Sequence, residues 1–295
     1  MSTRAPGTMP IWHRPVGADS TRANLPYLYD AFLFGQDAHD IELDTRRHLE
    51  AAMPAIGYVF SSEHAAHLRI ARYLAGYVDQ FVVAGAPLPG PRDDDLHRII
   101  HRANPTAAVT YVEHDPLAAA VLRAVAEHRA GDIQVIQTDP LTPDEMWREM
   151  NEDGTINHGH PIGLILGGIL AFHGGTRTDV TDVVQAHIAM LPAGSFLALT
   201  HLFDPETPEH TPMALTFEDR LRSSALGRGA VATRGDIEAM VKGTTLLPPG
   251  IIQADSWWPD GPPSTAPDTA ALVAAVVVHL APPNQQAGAS RCSPP

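Results

Sequence analysis

The sequence predicts an α/β fold in which a helical N-terminal region precedes a mostly parallel sheet. From residue 80 onward, short apolar runs rich in β-branched residues alternate with stretches of helical periodicity. Neighbouring parallel strands need crossover connections, which are usually helices, so this alternation indicates a parallel sheet covered on both faces. Before residue 80 the apolar spacing is helical, and no internal repeat is found along the chain.

The individual elements follow from the same patterns. Between residues 24 and 77 apolar side chains recur at three- and four-residue spacing, which predicts amphipathic helices. Seven strands are predicted, at residues 80–84, 108–113, 133–137, 162–166, 195–200, 251–257 and 270–279. Further helices are expected near residues 92–103, 116–129, 142–150, 178–190 and 233–242.

These elements divide the chain into four segments. Residues 21–78 form the helical region and residues 79–281 form the α/β domain. Residues 1–20 and 282–295 are rich in Pro, Ser, Gly and Ala without any period, so we expect both ends to be disordered.

Composition excludes several classes of function. The chain carries 34 acidic and 20 basic side chains, a net charge of −14, which argues against non-specific binding of nucleic acid and favours a small-molecule substrate. The single cysteine, Cys292, cannot build a disulfide framework or a Cys-rich zinc site, and it fits a reducing cytoplasm. No apolar run is long enough for a membrane span, and no H-E-x-x-H spacing supports a metal site. The oligomeric state is open, and a homodimer is compatible with the sequence.

The loops that follow the predicted strands are the expected ligand site, because ligands of open α/β sheets bind at the carboxyl ends of the strands. After the first strand, Gly85 lets the backbone approach a ligand closely, although the loop is not G-x-G-x-x-G and Pro87 lacks a donor. Glu113, after the second strand, can accept hydrogen bonds from a ribose diol or can cap the next helix. Asp139, after the third strand, can accept from an adenine amino group or can act as a cap. Residues 167–175 form a small-residue wall beside the reactive end of a cofactor, or permit close helix packing.

Several blocks in a fixed order resemble one family. Residues 29–37 read Y-D-A-F-L-F-G-Q-D, similar to the block Y-D-x-x-L-G-G-K-D, and residues 80–89 read Q-F-V-V-A-G-A-P-L-P, similar to Q-F-L-D-I-G-T-G-L-P. Further matches are Y-V-E-H-D-P at 111–116, P-A-G-S-F-L-A-L-T-H at 192–201 and W-W-P-D at 257–260. The chain thus resembles, over residues 20–281, the actinobacterial S-adenosyl methyltransferase family, a class I S-adenosylmethionine-dependent methyltransferase.

The resemblance implies a Rossmann-like sheet of seven strands with an antiparallel C-terminal strand, a helical N-terminal lid and S-adenosylmethionine as cofactor. Gly85 would face the methionine moiety, Glu113 with its neighbour His114 the ribose, and Asp139 the adenine. The segment from Leu170 to His173 would border the methyl-transfer mouth. Tyr29 and Asp37 would come from the lid, with Gly35 giving the backbone freedom.

Two departures concern the methionine end of the cofactor. Val83 replaces the family's acidic residue at the end of the first strand, and Pro87 replaces its second loop glycine. Loss of a hydrogen bond to a charged group costs about 1.5–3 kcal/mol, or about one to two decades of affinity. The mouth also carries Gly167 and Gly168 in place of apolar family residues, and Gln36 replaces the lid's lysine.

A methyltransferase of this kind mainly aligns a nucleophile and removes its proton. His39, His173 and His201 are the candidate bases and are expected to converge at the mouth, although with sixteen histidines in the chain each is more often a surface or core residue. The expected function is methylation of a small molecule, in natural product biosynthesis. The alternatives are a methyltransferase fold that no longer methylates, acting as a cyclase or other natural-product catalyst, and a non-catalytic binding protein.

Overall fold

A computed structural model describes residues 21–33, 35–85, 87–89, 95–127, 132–258 and 267–281. The two chain ends for which we expected disorder, residues 1–20 and 282–295, lie outside the described residues. Of the helices in the described part of the chain, none is long and apolar enough to span a membrane.

Nine α-helices are described within these ranges. Three precede the sheet: α1 (Leu25–Phe32), α2 (Asp40–Ala52) and α3 (Gly57–Leu74). The others are α4 (Leu96–Ala103), α5 (Pro116–Glu127), α6 (Pro143–Glu152), α7 (Arg177–Met190), α8 (Thr211–Ser223) and α9 (Arg234–Met240). Short 3-10 helices occupy Ile169–Phe172, Ala254–Ser256 and Asp268–Leu272.

In the described part of the chain, eight strands form one sheet. They are β1 (Gln80–Ala84), β2 (Ala108–Val112), β3 (Asp132–Ile136), β4 (Gly163–Leu166), β5 (Phe196–Leu202), β6 (Thr245–Leu246), β7 (Ile252–Gln253) and β8 (Val273–His279). The order is β3-β2-β1-β4-β5-β8-β6, and β7 also pairs with β8. Strands β1 to β5 are parallel, whereas β8 runs antiparallel to β5. The predicted α/β fold with a mostly parallel sheet and an antiparallel C-terminal strand is confirmed.

Alternating strand residues build two apolar layers, one on each face of the sheet. Phe81, Val83 and Ile165 face the layer formed with α1 to α4 and α8. Val82 and Leu164 face the layer formed with α6, α7 and α9. Helix α3 therefore packs directly on the sheet, and its inward side chains reach the strands.

The end of the sheet differs from the prediction in two places. The predicted strand at 251–257 is reduced to β7, because the Arg69 guanidinium binds the carbonyls of Ala254 and Trp257 and draws this segment onto α3. Strand β6 was not predicted, since only two residues pair before Pro248 and Pro249. The last strand begins at Val273 because Asp268–Leu272 form a 3-10 helix.

One helix was missed and another is shorter than predicted. Helix α8 was not predicted, although Ala214, Phe217 and Leu221 repeat at helical spacing and are buried. Helix α4 begins at Leu96, and residues 92–94 of its predicted span lie outside the described residues.

Candidate functional site

The loops after β1 and β4 touch each other at their backbones. Gly167 N donates to Ala84 O at 2.8 Å. Gly85 has φ of +77°, and a Cβ built on it would lie 2.2 Å from the Gly167 carbonyl oxygen. Any side chain at position 85 would therefore strain the backbone and displace the neighbouring loop. Glycine therefore lets the two loops pack closely against each other at the carboxyl ends of two central strands.

Gly168, one residue further along, accommodates side chains from the N-terminal helices. It has φ of +66°, and a Cβ there would lie 2.4 Å from Tyr29 Oη and 2.7 Å from Glu63 Oε1. A Cβ at Gly167 would lie 2.8 Å from His67 Cε1. Gly167 and Gly168, for which the sequence left open a cofactor wall or close helix packing, thus leave room for polar side chains of α1 and α3. Leu170, in the 3-10 helix that follows, is buried.

Tyr29, Glu63, His67 and Thr200 form a buried polar cluster beneath these glycines. The Tyr29 hydroxyl donates to Glu63 Oε2, and the Thr200 hydroxyl donates to Glu63 Oε1. Thr200 Oγ1 in turn accepts from Gly168 N and pairs with His67 Nε2, both at 2.9 Å. Since the single hydroxyl proton of Thr200 is directed at Glu63, His67 Nε2 is the donor in the last bond. The cluster ties α1, α3 and β5 to the mouth.

Burial controls the charge of this cluster. It raises the pKa of Glu63 to about 7, even though the hydrogen bonds from Thr200 and Tyr29 act to lower it. It lowers the pKa of His67 to about 3, with a further contribution from His64. His67 is therefore neutral near pH 7, and its buried Nδ1 has no hydrogen-bond partner among the described residues. Glu63 is the group of the cluster whose charge changes near neutral pH.

Glu113 follows β2 and is buried at the carboxyl edge of the sheet. Its Oε1 accepts from Asp115 N at 2.8 Å, whereas Asp115 Oδ1 accepts from the backbone nitrogens of Leu117 and Ala118. Asp115 is thus the cap of α5, the role that the sequence left open for Glu113. Burial raises the pKa of Glu113 to about 7. His114, beside it, is exposed.

Tyr27 of α1 lies within the electrostatic influence of Asp115, Asp37 and Glu113, and it was not predicted from the sequence. Its ring is buried against Leu88 and Ala118, between the loop after β1 and the start of α5. Its hydroxyl has no hydrogen-bond partner among the described residues. The pKa of Tyr27 is raised, first by burial and then by the charges of Asp115, Asp37 and Glu113. A buried donor without a partner faces a group of carboxylates.

The loop between α1 and α2 is held by Asp30. Its Oδ2 accepts from the backbone nitrogens of Asp37 and Ala38, both at 2.9 Å, and its carbonyl accepts from Gly35 N. A Cβ on Gly35 would lie 1.6 Å from Asp30 Oδ1, so glycine is required here. The loop presents Asp37, whose pKa is raised by burial, and His39, whose ring lies 5.1 Å from the Tyr27 ring. The buried His39 Nε2 has no partner in the described part of the chain.

The three candidate histidines do not form one group. His39 stands beside Tyr27, and His173 is partly exposed and accepts from Gly175 N at 2.9 Å. His201 lies on the face of β5 opposite to Thr200, because successive strand residues alternate between faces, and it is buried towards Asp236 and Arg177. Burial lowers the pKa of His201 to about 4. No contact among the described residues joins two of these three histidines, so the expected convergence is not found.

The remaining positions of interest are Asp139 and the two residues that differ from the family pattern, Val83 and Pro87. Asp139 Oδ1 accepts from Leu141 N at 2.8 Å and closes the turn before α6, while the side chain stays partly exposed. Val83 is 1% exposed and stands between Tyr111 and Ile165 of the neighbouring strands. Its surroundings are an apolar layer, which suits valine and disfavours an unpaired carboxylate. Pro87 is also buried.

Glu63 and His67 were missed by sequence reasoning, although a signal existed. The buried side chains of α3 include Val59, Phe60, Ala66 and Ile70, and they recur at three- and four-residue spacing once positions 63 and 67 are included. Glu63 and His67 occupy two positions of this otherwise apolar stripe. Charged or titratable side chains in a buried stripe are expected only where partners satisfy them.

The sheet order and the ligand-facing loops define a class I methyltransferase fold. Residues 13–280 match the model of the S-adenosyl methyltransferase family, and the chain belongs to this family. A candidate methyltransferase from Thermobifida fusca has the same fold, with a TM-score of 0.82, 24% identity and coverage of 92% of this chain and 100% of that one. A DUF574 family protein from Streptomyces avermitilis has a TM-score of 0.78, 22% identity and coverage of 90% and 99%. Comparison with proteins of curated function finds no match.

The cofactor of this family is S-adenosylmethionine, and the residues present fit it. Glu113 carries carboxylate oxygens for a ribose diol, and the buried Tyr27 hydroxyl has no partner among the described residues. Val83 is the position that offers nothing to the cofactor's amino-acid end. Among the described residues, no cluster of three or more His, Cys, Asp or Glu is arranged to hold a metal ion.

Proposed function

We propose that the protein is an S-adenosylmethionine-dependent methyltransferase that acts on a small molecule. The observation that carries this proposal is the convergence of Gly85, Glu113 and the unpartnered Tyr27 hydroxyl at the carboxyl edge of the sheet. Ligands of open α/β sheets bind at this edge. The net charge of −14 supports a small-molecule acceptor over nucleic acid, and the single cysteine supports a cytoplasmic location.

In this proposal the residues of the chain mainly bind and orient the cofactor and the acceptor. When bound, S-adenosylmethionine would supply a methyl group attached to a positively charged sulfur, and that sulfur leaves readily as a neutral thioether. Glu113 accepts hydrogen bonds from the ribose, and Tyr27 closes over the same region from α1. His39, whose ring lies beside that of Tyr27, is the histidine that we propose to take a proton from the acceptor.

A second candidate function rests on the same pocket. The apolar surroundings of Val83 and the buried Pro87 favour a protein that keeps the methyltransferase fold but no longer transfers a methyl group. Such a protein would act on a natural-product intermediate by shape, for example as a cyclase. The two candidates differ in whether the cofactor is bound and consumed.

The test is calorimetric titration of the full chain with S-adenosylmethionine and, separately, with S-adenosylhomocysteine. Micromolar binding of both, followed by mass detection of a methylated product in a screen of natural-product-like acceptors, is the expected result. Binding without a product from any acceptor would favour the second candidate. Absence of binding of both ligands would overturn the proposed function.

A further inference from the structure

Glu63, a fully buried carboxylate beside the proposed methyl-transfer mouth, has no role in the function proposed above. Glu63 is 0% exposed, yet it comes from the inward face of α3 and ends against Gly168. Buried charges are rare unless they are paired or functional. The groups on Glu63 are hydroxyls, which hold its position without supplying a positive charge.

We propose that Glu63 supplies the negative charge that faces the sulfonium of S-adenosylmethionine, a charge that Val83 at the end of β1 does not provide. The inference rests on the proposed function, since it concerns the same site. Under this inference a side chain of α3 provides the negative charge, because Val83 at the end of β1 is apolar.

Backbone atoms of residues 167 and 168 lie between Glu63 and Gly85, the glycine expected to face the methionine moiety of the cofactor. A Cβ on Gly168 would lie 2.7 Å from Glu63 Oε1, and a Cβ on Gly85 would lie 2.2 Å from the carbonyl oxygen of the adjacent Gly167. Positions 167 and 168 carry no side chain that would separate the carboxylate from the mouth. The replacement of apolar residues by two glycines and the presence of the buried acid thus belong to one arrangement.

The chemistry of a sulfonium suits a carboxylate that does not touch it. A sulfonium carries a full positive charge but neither donates nor accepts conventional hydrogen bonds, so attraction through the protein interior is the available interaction. Two unit charges a few ångströms apart attract each other several times more strongly in a protein interior than in water. Salt also screens a buried pair only weakly.

The described groups that contact Glu63 carry no positive charge. From α1 it faces the Tyr29 hydroxyl, from β5 the Thr200 hydroxyl, and from its own helix His67 through Thr200. Burial keeps His67 neutral and raises the pKa of Tyr29, so neither provides a cation. A cationic ligand would therefore bring a positive charge that these contacts do not supply.

In this arrangement the binding of a positively charged ligand is coupled to the protonation state of Glu63. Burial raises the pKa of Glu63 to about 7, so below pH 7 the side chain is mostly protonated in the free protein. A bound sulfonium favours the ionised form and releases that proton. The affinity for S-adenosylmethionine therefore increases as the pH rises towards 7, by up to about tenfold per pH unit. S-adenosylhomocysteine has a neutral thioether at this position and shows no such gain from Glu63.

The experiment is calorimetric titration of both ligands into the wild-type chain and the Glu63→Gln variant at pH 6, 7 and 8. We expect Glu63→Gln to bind S-adenosylhomocysteine like the wild type, and to lose about tenfold or more of its affinity for S-adenosylmethionine at pH 8. Titration of Glu113 and of the ligands' amino groups is common to both variants and cancels in the comparison. Glu238→Gln, an exposed substitution, is the matched control.

The possible outcomes separate the inference from the proposed function. An unchanged ratio of the two affinities in Glu63→Gln at every pH would overturn the inference and leave the proposed function intact. Lack of binding of both ligands to the wild type would overturn both. Should Glu63→Gln fail to fold, proton release by the wild type in buffers of different ionisation enthalpy decides the matter. More protons released at about pH 6.5 by S-adenosylmethionine than by S-adenosylhomocysteine supports the inference, and equal numbers overturn it.

Discussion

Gly168 and Tyr29 are in direct contact at the point where the N-terminal helices meet the end of β4. A Cβ on Gly168 would lie 2.4 Å from Tyr29 Oη. The same hydroxyl donates to Glu63, which is bound in turn by Thr200. The position of α1 is therefore tied to the loop that borders the proposed mouth, and a change at either residue must reach the other.

Gly168→Ala tests this contact. The added methyl group meets Tyr29 and Glu63, and φ of +66° disfavours alanine, so we expect the free energy of unfolding to fall by about 1–3 kcal/mol. Urea denaturation measures the change. Gly174→Ala is the matched control, because a Cβ there meets nothing within 4 Å. Equal stabilities of the two variants would show that the contact is absent in solution.

Glu113→Ala tests the ribose assignment. Removing a carboxylate that accepts from a ribose diol should weaken binding of both cofactor forms by about one to two decades, corresponding to about 1.5–3 kcal/mol. Calorimetry with S-adenosylhomocysteine measures this without turnover. Glu238→Ala, which removes an exposed carboxylate, should bind as the wild type does. Wild-type affinity in Glu113→Ala would place the ribose elsewhere.

Tyr27→Phe separates a structural role from a binding role. The hydroxyl is buried without a partner among the described residues, so its removal should leave the free energy of unfolding unchanged or raise it slightly. Cofactor affinity should fall by about three- to tenfold, because the ligand supplies the missing partner. Tyr58→Phe, at an exposed tyrosine, serves as control. A variant that is less stable but binds normally would contradict this role.

The sequence predicted the fold because its signals are local and repeated. Strand–helix alternation located the five parallel strands within one or two residues, whereas β6 was missed since two paired residues before Pro248 and Pro249 leave no period to detect. Helix α8 was missed although Phe217 and Leu221 carry the helical spacing.

The site was only partly predictable, because its geometry depends on contacts between distant parts of the chain. Glu113 and Gly85 were found, since their positions at strand ends are visible in the sequence. Glu63 and Thr200 are separated by 137 residues, and no local pattern connects them. His201 was expected at the mouth from its place after β5, but the alternation of strand residues directs it to the opposite face from Thr200.

Val83→Asp tests why β1 lacks an acid. The side chain would enter an apolar layer between Tyr111 and Ile165, where an unpaired charge is costly. Burial raises the pKa of such an aspartate, so the destabilisation should be greater at pH 8 than at pH 5, where the residue is closer to neutral. Unfolding by urea at both values measures it, with Val83→Thr as an uncharged control. A stable Val83→Asp variant at pH 8 would show that a countercharge is available there.

The stability of the wild type relative to Glu63→Gln should depend on pH in one direction. Burial raises the pKa of Glu63 from 4.5 to about 7, so the folded state holds a proton that the unfolded state has lost over this interval. The stability that this proton provides is fully present below pH 4.5 and is lost as the pH rises through 7. Glutamine does not titrate, and the other groups are common to both chains. Urea denaturation at pH 4.5, 6 and 8 should show the wild type losing about 3 kcal/mol relative to the variant. A constant difference would mean that Glu63 is solvated in solution, in which case its charge would be screened from any ligand.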